Sequence, residues 1–503
     1  MMIQPMPNSH YKQLLHDRCI CVIIPVYNNA GTIADVVERT LLHCDDVIVV
    51  NDGSTDSTKE SLERIPGVTI INSPKNEGKG AALRRGFRKA LELGFSYAIT
   101  IDADGQHYPE DIPLFLEANI KHPGCLIVGS RDLKGVVRSK GSSFANSFSN
   151  FWFCVQTLHK LPDTQTGYRL YPLRKLRGLS FLTSRYEAEL ELLVFASWHG
   201  VKLVSKRINV FYPKPEERVS HFRPGLDFTR ISILNTILCV LAVVYGIPCF
   251  LYRSLKTGLF TVTTYVVYLL GAVTITPIAI GKSCYTKLTR KPSSILHNVV
   301  TKFSKTVVKL LGLFGSKVSV DNQSGEDFKR SALIICNHQS QLDLMVQLSQ
   351  TNKIIFLTND WVWKNPIFGA IVRCAEYYPV SMGLENLIPK LKELVDRGYC
   401  ISVFPEGTRS EAGEINRFHK GVFHIADTLN LDILPLVVYG TGEVMPKHGW
   451  LIKKWPIWLQ VGKRINQEDL TAFGTTLRAQ AKNLRGEYQI IYDNLKNRIE
   501  RNV

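Results

Sequence analysis

The chain has 503 residues, 45% of them hydrophobic, and a formal charge of +17. Its length accommodates roughly three domains, and its charge calls for polyanionic surroundings. No nucleic-acid motif accompanies that charge, which excludes nucleic acid as the expected partner and leaves an anionic membrane surface. Eleven Cys are scattered without paired metal spacing, which argues for reduced structural thiols.

Residues 1–18 contain no apolar core of the signal-peptide type, so no cleaved leader is expected. Cys19-Ile-Cys-Val-Ile-Ile-Pro25 is a short β-rich run, in which alternation puts Cys19 and Cys21 on one face. A helical pattern to Leu42 follows, then Val47-Ile-Val-Val50, and strand, turn and helix signals repeat through Ala98-Ile-Thr-Ile101. Strands alternating with helices predict an α/β, doubly wound parallel sheet. Ligands of such sheets sit at the carboxyl ends of strands, where Tyr27, Asp52 and Asp102 would project.

Asp102-Ala-Asp104 closes the last of these strands. Alternation places both carboxylates on one side, a spacing suited to a hard divalent ion that also holds a diphosphate. Gly105-Gln106-His107 follows it, and Asn76-Glu-Gly-Lys79-Gly80 precedes it; the second run reads either as a phosphate approach or as a plain helix-starting turn.

Pro25-Val-Tyr-Asn28, Val50-Asn-Asp-Gly-Ser54, Asn76-Glu-Gly-Lys-Gly80, Asp102-Ala-Asp104-Gly-Gln106-His107, Val128-Gly-Ser-Arg131 and Asp163-Thr-Gln-Thr-Gly-Tyr-Arg169 occur in this order. Over about residues 20–225 the chain resembles the inverting glycosyltransferases of family 2, near the polyprenyl- and dolichyl-phosphate sugar synthases. The resemblance implies a GT-A nucleotide-sugar domain in which Pro25, Tyr27, Asn28, Asp52, Lys79 and Asp102 bind the nucleotide sugar. It implies that Asp102, Asp104 and Gln106 hold Mg2+ or Mn2+, and that Arg131 and Arg169 hold acceptor or diphosphate groups. Asn51 stands where the family often has a second Asp.

Arg185-Tyr-Glu187-Ala-Glu189-Leu-Glu191 offers three carboxylates. The resemblance favours Glu187 to Glu189 as substrate-facing, with Glu189 as general base where the acceptor is a hydroxyl; otherwise these are solvated glutamates of a packing helix. Arg218-Val-Ser-His221-Phe-Arg223 reads equally as a phosphate clamp or as an interfacial anchor.

Two long apolar runs follow, Ile231 to Tyr252 and Gly258 to Gly281, separated by Arg253-Ser-Leu-Lys256-Thr257. Each is long enough for a hydrocarbon core of about 30 Å, which predicts a two-helix membrane hairpin; buried or re-entrant helices are the alternative. Lys/Arg flank the pair at 218, 223, 230, 282, 287, 290 and 291, so both arms are expected on the cytoplasmic side of an inner membrane.

From Lys282 to Val320 there are eight Lys/Arg and no Asp/Glu. Leu296, Val299, Val300, Phe303, Val307, Leu310 and Phe314 recur at helical spacing, so a basic amphipathic helix is expected on the bilayer, or else one covering the second domain's core. Leu333-Ile-Ile-Cys336 is a buried-strand run that delivers Asn337-His338-Gln-Ser-Gln-Leu-Asp343. A carboxylate fixing one imidazole nitrogen leaves the other to take a proton from a hydroxyl. Val403-Phe-Pro-Glu406-Gly407-Thr-Arg409-Ser410 is the second polar cluster.

These two blocks, with Arg417-Phe-His-Lys420-Gly421 and Ile433-Leu-Pro435, resemble the glycerophosphate and lysophosphatidate acyltransferase superfamily over about residues 296–465. The resemblance implies His338 as general base, Asp343 as its orienter, Glu406 and Gly407 shaping the acceptor site, and Arg409 holding a phosphate or polar headgroup. Acyl-CoA or an acyl-carrier protein would be the donor. An Arg common in glycerophosphate acylators is missing from Glu376-Tyr-Tyr-Pro-Val-Ser-Met-Gly383, which favours a larger lipid hydroxyl as acceptor, with Lys420 partly replacing the charge. Trp361, Trp363, Ile367 and Phe368 read as core aromatics or as an acyl-binding or membrane-facing surface. The helix from Leu477 to Ile499 is expected to pack outside, with no visible chemistry.

The expected organisation is a glycosyltransferase domain over 1–230, a hairpin over 231–281, a basic linker over 282–330 and an acyltransferase domain over 331–503. The expected function is a bifunctional membrane enzyme of glycolipid or specialised lipid synthesis, acting on a nucleotide sugar, a lipid or polyprenyl-phosphate acceptor and an acyl thioester. The alternatives are a polyprenyl-phosphate sugar synthase joined to an independent lysophospholipid acyltransferase, and a scaffold with one inactive domain.

Overall fold

The computed structural model describes residues 8–131, 140–179, 183–211, 224–289, 294–411 and 414–500. The expected clamp at Arg218 to Arg223, and the flanking Arg290 and Lys291, lie outside the described residues. The chain divides into two compact units, Met1–Arg253 with Asn497–Val503, and Ser254–Lys496.

The first unit contains β1 (Ile20–Val26), β2 (Val47–Asn51), β3 (Val68–Asn72), β4 (Tyr97–Thr100), β5 (Leu126–Arg131), β6 (Arg169–Pro172) and β7 (Leu203–Ile208) in the order β3-β2-β1-β4-β6-β5-β7. β1, β2 and β4 are buried along their whole length, as the near-continuous apolar runs of a sheet covered on both faces require. Two buried clusters flank the sheet, one around Ile23, Val50 and Leu193, the other around Ile24, Val49 and Phe115. The expected all-parallel sheet is corrected at one strand: β6 runs antiparallel to both β4 and β5. The chain order reverses between β1 and β4, so a switch point opens at their carboxyl ends.

The second unit carries β8 (Val318–Asp321), β9 (Leu333–Cys336), β10 (Ile354–Thr358), β11 (Tyr378–Pro379), β12 (Cys400–Val403), β13 (Ile433–Tyr439) and β14 (Ile457–Val461) in the order β11-β10-β12-β9-β13-β14-β8. β9 to β13 pair in parallel and β14 is antiparallel to β13. β9 sits between β12 and β13, so both acyltransferase-like motifs leave neighbouring strands at one edge.

The expected hairpin turn is not formed. Residues 253–257 are helical inside Ile247–Thr289, continuous through a π segment, Ala242–Gly246, with the helix Pro224–Leu241. The physical reason is that Arg, Ser, Leu, Lys and Thr contain no helix breaker. The π segment instead precedes Pro248, whose missing N–H disrupts the regular ladder. One stretch, Thr229–Thr286, is long and apolar enough to cross a membrane.

The helix Ile295–Leu313 does not present its apolar stripe outward. Leu296, Val300, Val307 and Leu311 are buried, while Lys302, Lys305 and Lys309 are exposed. Its neighbour Phe314 stacks on Phe260 at 4.4 Å. That stripe therefore covers the core, the alternative to the bilayer placement. Of the two readings of the aromatics, the surface one fits: Trp361 is 67% exposed, Ile367 and Phe368 are exposed with it, and Trp363 is half-buried. All eleven cysteines are free thiols.

Candidate active sites

In the first unit the βα loops tie one another together. Asn28, in a left-handed conformation, accepts from the Thr55 N–H at 2.8 Å and donates its own N–H to Ser54 Oγ at 3.0 Å. Tyr27 is half-buried beside it at the end of β1, and Pro25 lies buried inside that strand, in register with Val50. Asp52 is 3% exposed. Its Oδ2 accepts from the Glu77 and Gly78 N–H groups at 3.1 and 2.7 Å, and Arg85 donates to Oδ1 at 3.0 Å. Asp52 thus builds the Asn76–Gly80 turn. Asn51 explains its own departure from Asp: its amide donates to Asn72 Oδ1 at 2.9 Å while its oxygen accepts from the Ser54 N–H at 3.0 Å.

That turn delivers Lys79 into the centre of the site. Lys79 Nζ lies 2.6 Å from Asp102 Oδ1 and 2.9 Å from Glu189 Oε2. Burial alone would pull the ammonium down, but the two carboxylates hold it well above the ordinary lysine range. The same ion pair, with His107, outweighs burial and lowers Asp102. Asp104 is pushed up to about 6, first by burial and then by Asp102. His107 is driven down to about 4 by burial and is a neutral neighbour of Asp102 at neutral pH. Gly167 closes the pair from β6's side, since a Cβ there would stand 2.5 Å from Asp102 Oδ2 and 2.6 Å from Lys79 Nζ.

The three glutamates separate into different roles. Glu191 is fully buried and accepts from Thr183 N and Oγ1 at 2.9 and 2.6 Å. Glu189 faces Lys79 and keeps Oε1 buried without a partner, as Glu187 keeps Oε2. Arg131 grips Asp163 bidentately, Nε to Oδ2 at 2.6 Å and Nη2 to Oδ1 at 3.0 Å. Arg169, expected on the acceptor or diphosphate, is fully buried and donates through its Nη atoms to Glu189 O at 2.7 Å, Thr164 O at 2.8 Å and Tyr171 OH at 3.3 Å, so it holds the Glu189 backbone, while its Nε is buried without a partner.

Asp102 and Asp104 are two half-buried carboxylates on one loop, and Asp104 is raised by partial burial and by the neighbouring Asp102 charge. A divalent ion held by oxygen ligands fits that pair. Gln106 donates its backbone N–H to Asp104 Oδ1 at 3.0 Å. Among the described residues no third His, Cys, Asp or Glu completes a protein-only metal cluster.

In the second unit the loop after β9 bends so that Asp343, in the first turn of the helix Leu342–Leu348, faces back on His338. Asp343 Oδ2 accepts from His338 Nδ1 at 3.0 Å, Gln339 N at 2.7 Å and Ser340 N at 2.9 Å. A carboxylate oxygen only accepts here, so Nδ1 carries a proton, and in the neutral imidazole Nε2 presents its lone pair. The imidazole stacks on Phe404, ring centroids 3.9 Å apart and 17° from parallel.

Glu406 does not point toward an acceptor. Its Oε1 accepts from the His338 N–H at 2.8 Å and its Oε2 from the Asn416 N–H at 2.7 Å, and burial pushes its carboxyl up to about 7. Ser410 holds the His338 carbonyl through its N–H at 2.7 Å and its hydroxyl at 3.1 Å. Gly407 has φ +70°, where a Cβ would stand 3.3 Å from His419 Nε2. Arg409 is half-buried and Lys420 is exposed just before the helix Gly421–Thr428.

The family model described as glycosyl transferase family 2 matches residues 21–171, and the model described as acyltransferase matches residues 317–439. The chain is 30% identical over 219 residues to the UDP-N-acetylglucosamine–dolichyl-phosphate N-acetylglucosaminyltransferase of Methanococcus voltae, covering 39% of this chain and 87% of that protein. It is 31% identical over 177 residues to the undecaprenyl-phosphate mannosyltransferase of Micrococcus luteus, covering 32% of this chain and 69% of that one. The second unit is similar to the 1-acyl-sn-glycerol-3-phosphate acyltransferase of Cocos nucifera, 27% identical over 168 residues, 32% of this chain and 53% of that enzyme.

Proposed function

Because the chain belongs to glycosyltransferase family 2 through its first domain and carries an acyltransferase domain as its second, we propose that it transfers a sugar from a nucleotide sugar to a lipid-linked acceptor and acylates a lipid hydroxyl. One observation carries this reading: each unit brings titratable side chains together beside the carboxyl ends of its own parallel strands, Lys79 between Asp102 and Glu189 in one and His338 on Asp343 in the other.

In the first domain Tyr27, Asn28 and Asp52 border the nucleotide, Asp52 by fixing the Asn76–Gly80 turn rather than by direct contact. Asp102 and Asp104, with Gln106, would hold Mg2+ or Mn2+, and a bound ion would supply charge neutralisation for the leaving diphosphate. The acceptor oxygen attacks the anomeric carbon as the bond to the nucleoside diphosphate breaks, with inversion. A phosphate acceptor arrives already anionic; a hydroxyl acceptor gives its proton to Glu189, whose Oε1 is unpartnered. Arg131, oriented by Asp163, is the acceptor-side cation.

In the second domain His338 Nε2 takes the acceptor hydroxyl's proton while the oxygen attacks the thioester carbonyl. The tetrahedral intermediate collapses by breaking the C–S bond, and the thiolate leaves with the proton from Nε2. Asp343 holds the imidazole tautomer throughout. Arg409 and Lys420 supply positive charge for a headgroup. The stretch Thr229–Thr286 seats the protein on the cytoplasmic face of the inner membrane, which gives both sites access to soluble donors. Lipid products made from a radiolabelled nucleotide sugar and a labelled acyl-CoA test the reading. Sugar transfer that survives Asp104→Ala, or acyl transfer that survives His338→Ala, rejects the corresponding half, and one product carrying both labels establishes that the reactions are sequential.

A further inference from the structure

We propose that the C-terminal helix Leu477–Glu500, which lies beyond the residues matched to the acyltransferase family, is the brace that positions His338, acting through the hydroxyls of Tyr488 and Tyr492. The inference rests on His338 being the base.

The loop that carries His338 is held from three directions. From β13, Asn337 exchanges two hydrogen bonds with the backbone of Val438, Nδ2 to O at 2.9 Å and Oδ1 from N at 2.8 Å. From the Glu406 segment, Glu406 and Ser410 hold the backbone of His338 itself. The third direction is the C-terminal helix. Tyr488 OH donates to Ile335 O at 2.7 Å, near the end of β9, and Gln339 Nε2 donates to Tyr492 OH at 2.8 Å. Gln339 is also the residue whose N–H binds Asp343 Oδ2. A displacement of Gln339 is therefore carried directly to the carboxylate that orients the imidazole.

Tyr488 and Tyr492 lie four residues apart on one face and are 0% and 1% exposed. Their rings pack on Phe418 and Tyr439 at 5.2 and 5.5 Å. Phenylalanine would fill the same space, and a buried hydroxyl is costly unless bonded; both hydroxyls bond to the β9 segment. The same helix holds the other motif, as Arg485 Nη2 donates to Ile415 O at 2.7 Å and Gln489 Oε1 accepts from the Ile415 N–H at 3.3 Å. Asn416, the next residue, is the one bound by Glu406. One helix thus fixes the distance between both halves of the site.

The test uses the full chain in lipid nanodiscs with 15N-labelled histidine. The His338 Nδ1 proton, bound to Asp343, gives a far-downfield resonance that is identified by its loss in His338→Gln. Tyr492→Phe is expected to broaden or shift that resonance and to lower palmitoyl-CoA turnover with lysophosphatidate by about tenfold at unchanged KM, the scale of a small misplacement of a reacting group. Gln339→Leu combined with Tyr492→Phe should cost no more than either alone. Leu484→Ala, a packing change on the same helix, should lower the unfolding temperature and leave the resonance in place. An unaltered resonance and rate in Tyr492→Phe, or a Leu484→Ala effect on both equal to that of Tyr492→Phe, overturns the brace. A wild-type chain that shows the resonance but acylates neither lysophosphatidate nor a larger lipid hydroxyl such as a glycolipid overturns the functional reading instead.

Discussion

Lys79 and Asp102, twenty-three positions apart, form an enclosed ion pair at 2.6 Å, and the lysine's second carboxylate is Glu189. One cation thus compensates both the strand-end aspartate and the candidate base. Removing one partner of a buried pair costs about 3 to 5 kcal/mol, because the remaining charge is left unpaired. Lys79→Met is therefore expected to destabilise the protein by about 3 kcal/mol and to abolish sugar transfer, with acyl transfer retained. Urea unfolding followed at pH 7 checks the first part; a midpoint equal to wild type would show that the pair is not charged as described.

Gly167 tests the same pair from outside. Its φ is ordinary, so alanine meets no backbone penalty, but the added methyl would overlap Asp102 Oδ2 and Lys79 Nζ. Gly167→Ala should lower sugar transfer by about a hundredfold, as a displaced reacting geometry does, while the dichroism spectrum stays unchanged. Full activity in that variant would mean that the ion pair yields without consequence.

Glu406 makes the second domain's stability fall as pH rises. Its carboxyl is raised from 4.5 to about 7 by burial, so its favourable contribution is complete below pH 4.5 and is lost as pH rises through about 7. Two and a half pKa units correspond to about 3 kcal/mol. Denaturant unfolding of wild type and Glu406→Gln between pH 5 and 8 should show the difference between them shrinking by about that amount toward alkaline pH; a difference that is constant with pH would exclude the titration.

The helix through residues 253–257 makes a topological prediction. The 58 residues of Thr229–Thr286 would extend about 87 Å as one helix, nearly three hydrocarbon cores of about 30 Å. On the proposed cytoplasmic placement of the two domains, a cysteine placed at Lys256 in a background lacking Cys239, Cys249 and Cys284 should react with a membrane-impermeant maleimide only from the cytoplasmic face. Labelling from the opposite face would restore the hairpin.

Much of this protein is legible in its residues, because strand ends and their polar loops are local in sequence. Pro25-Val-Tyr-Asn28, Asp102-Ala-Asp104 and Asn337-His338 through Asp343 each follow an apolar strand, and the chemistry they announce depends on spacing within a few residues. The same locality explains what the residues leave hidden. Arg169 stands in a ligand-like motif, yet β6 turns it inward to hold two carbonyls, and nothing within its own strand reports that burial. Residues 253–257 are charged enough to suggest a turn but lack any breaker, so helix propensity prevails.

What the amino-acid sequence determined by itself is the pair of families, the order of the two domains and the His338–Asp343 pairing. What only the tertiary structure decided is which groups answer one another across long separations. Lys79 meets Glu189 because a turn built on Asp52 delivers it to the helix Glu187–Trp198, and Tyr492 meets Gln339 because the last helix folds back on the loop after β9. Those contacts join residues whose own neighbourhoods read as surface glutamates and an outer helix. Their meaning arises from burial, since an ionised or hydrogen-bonding group enclosed by the fold must find a partner wherever the chain has placed one.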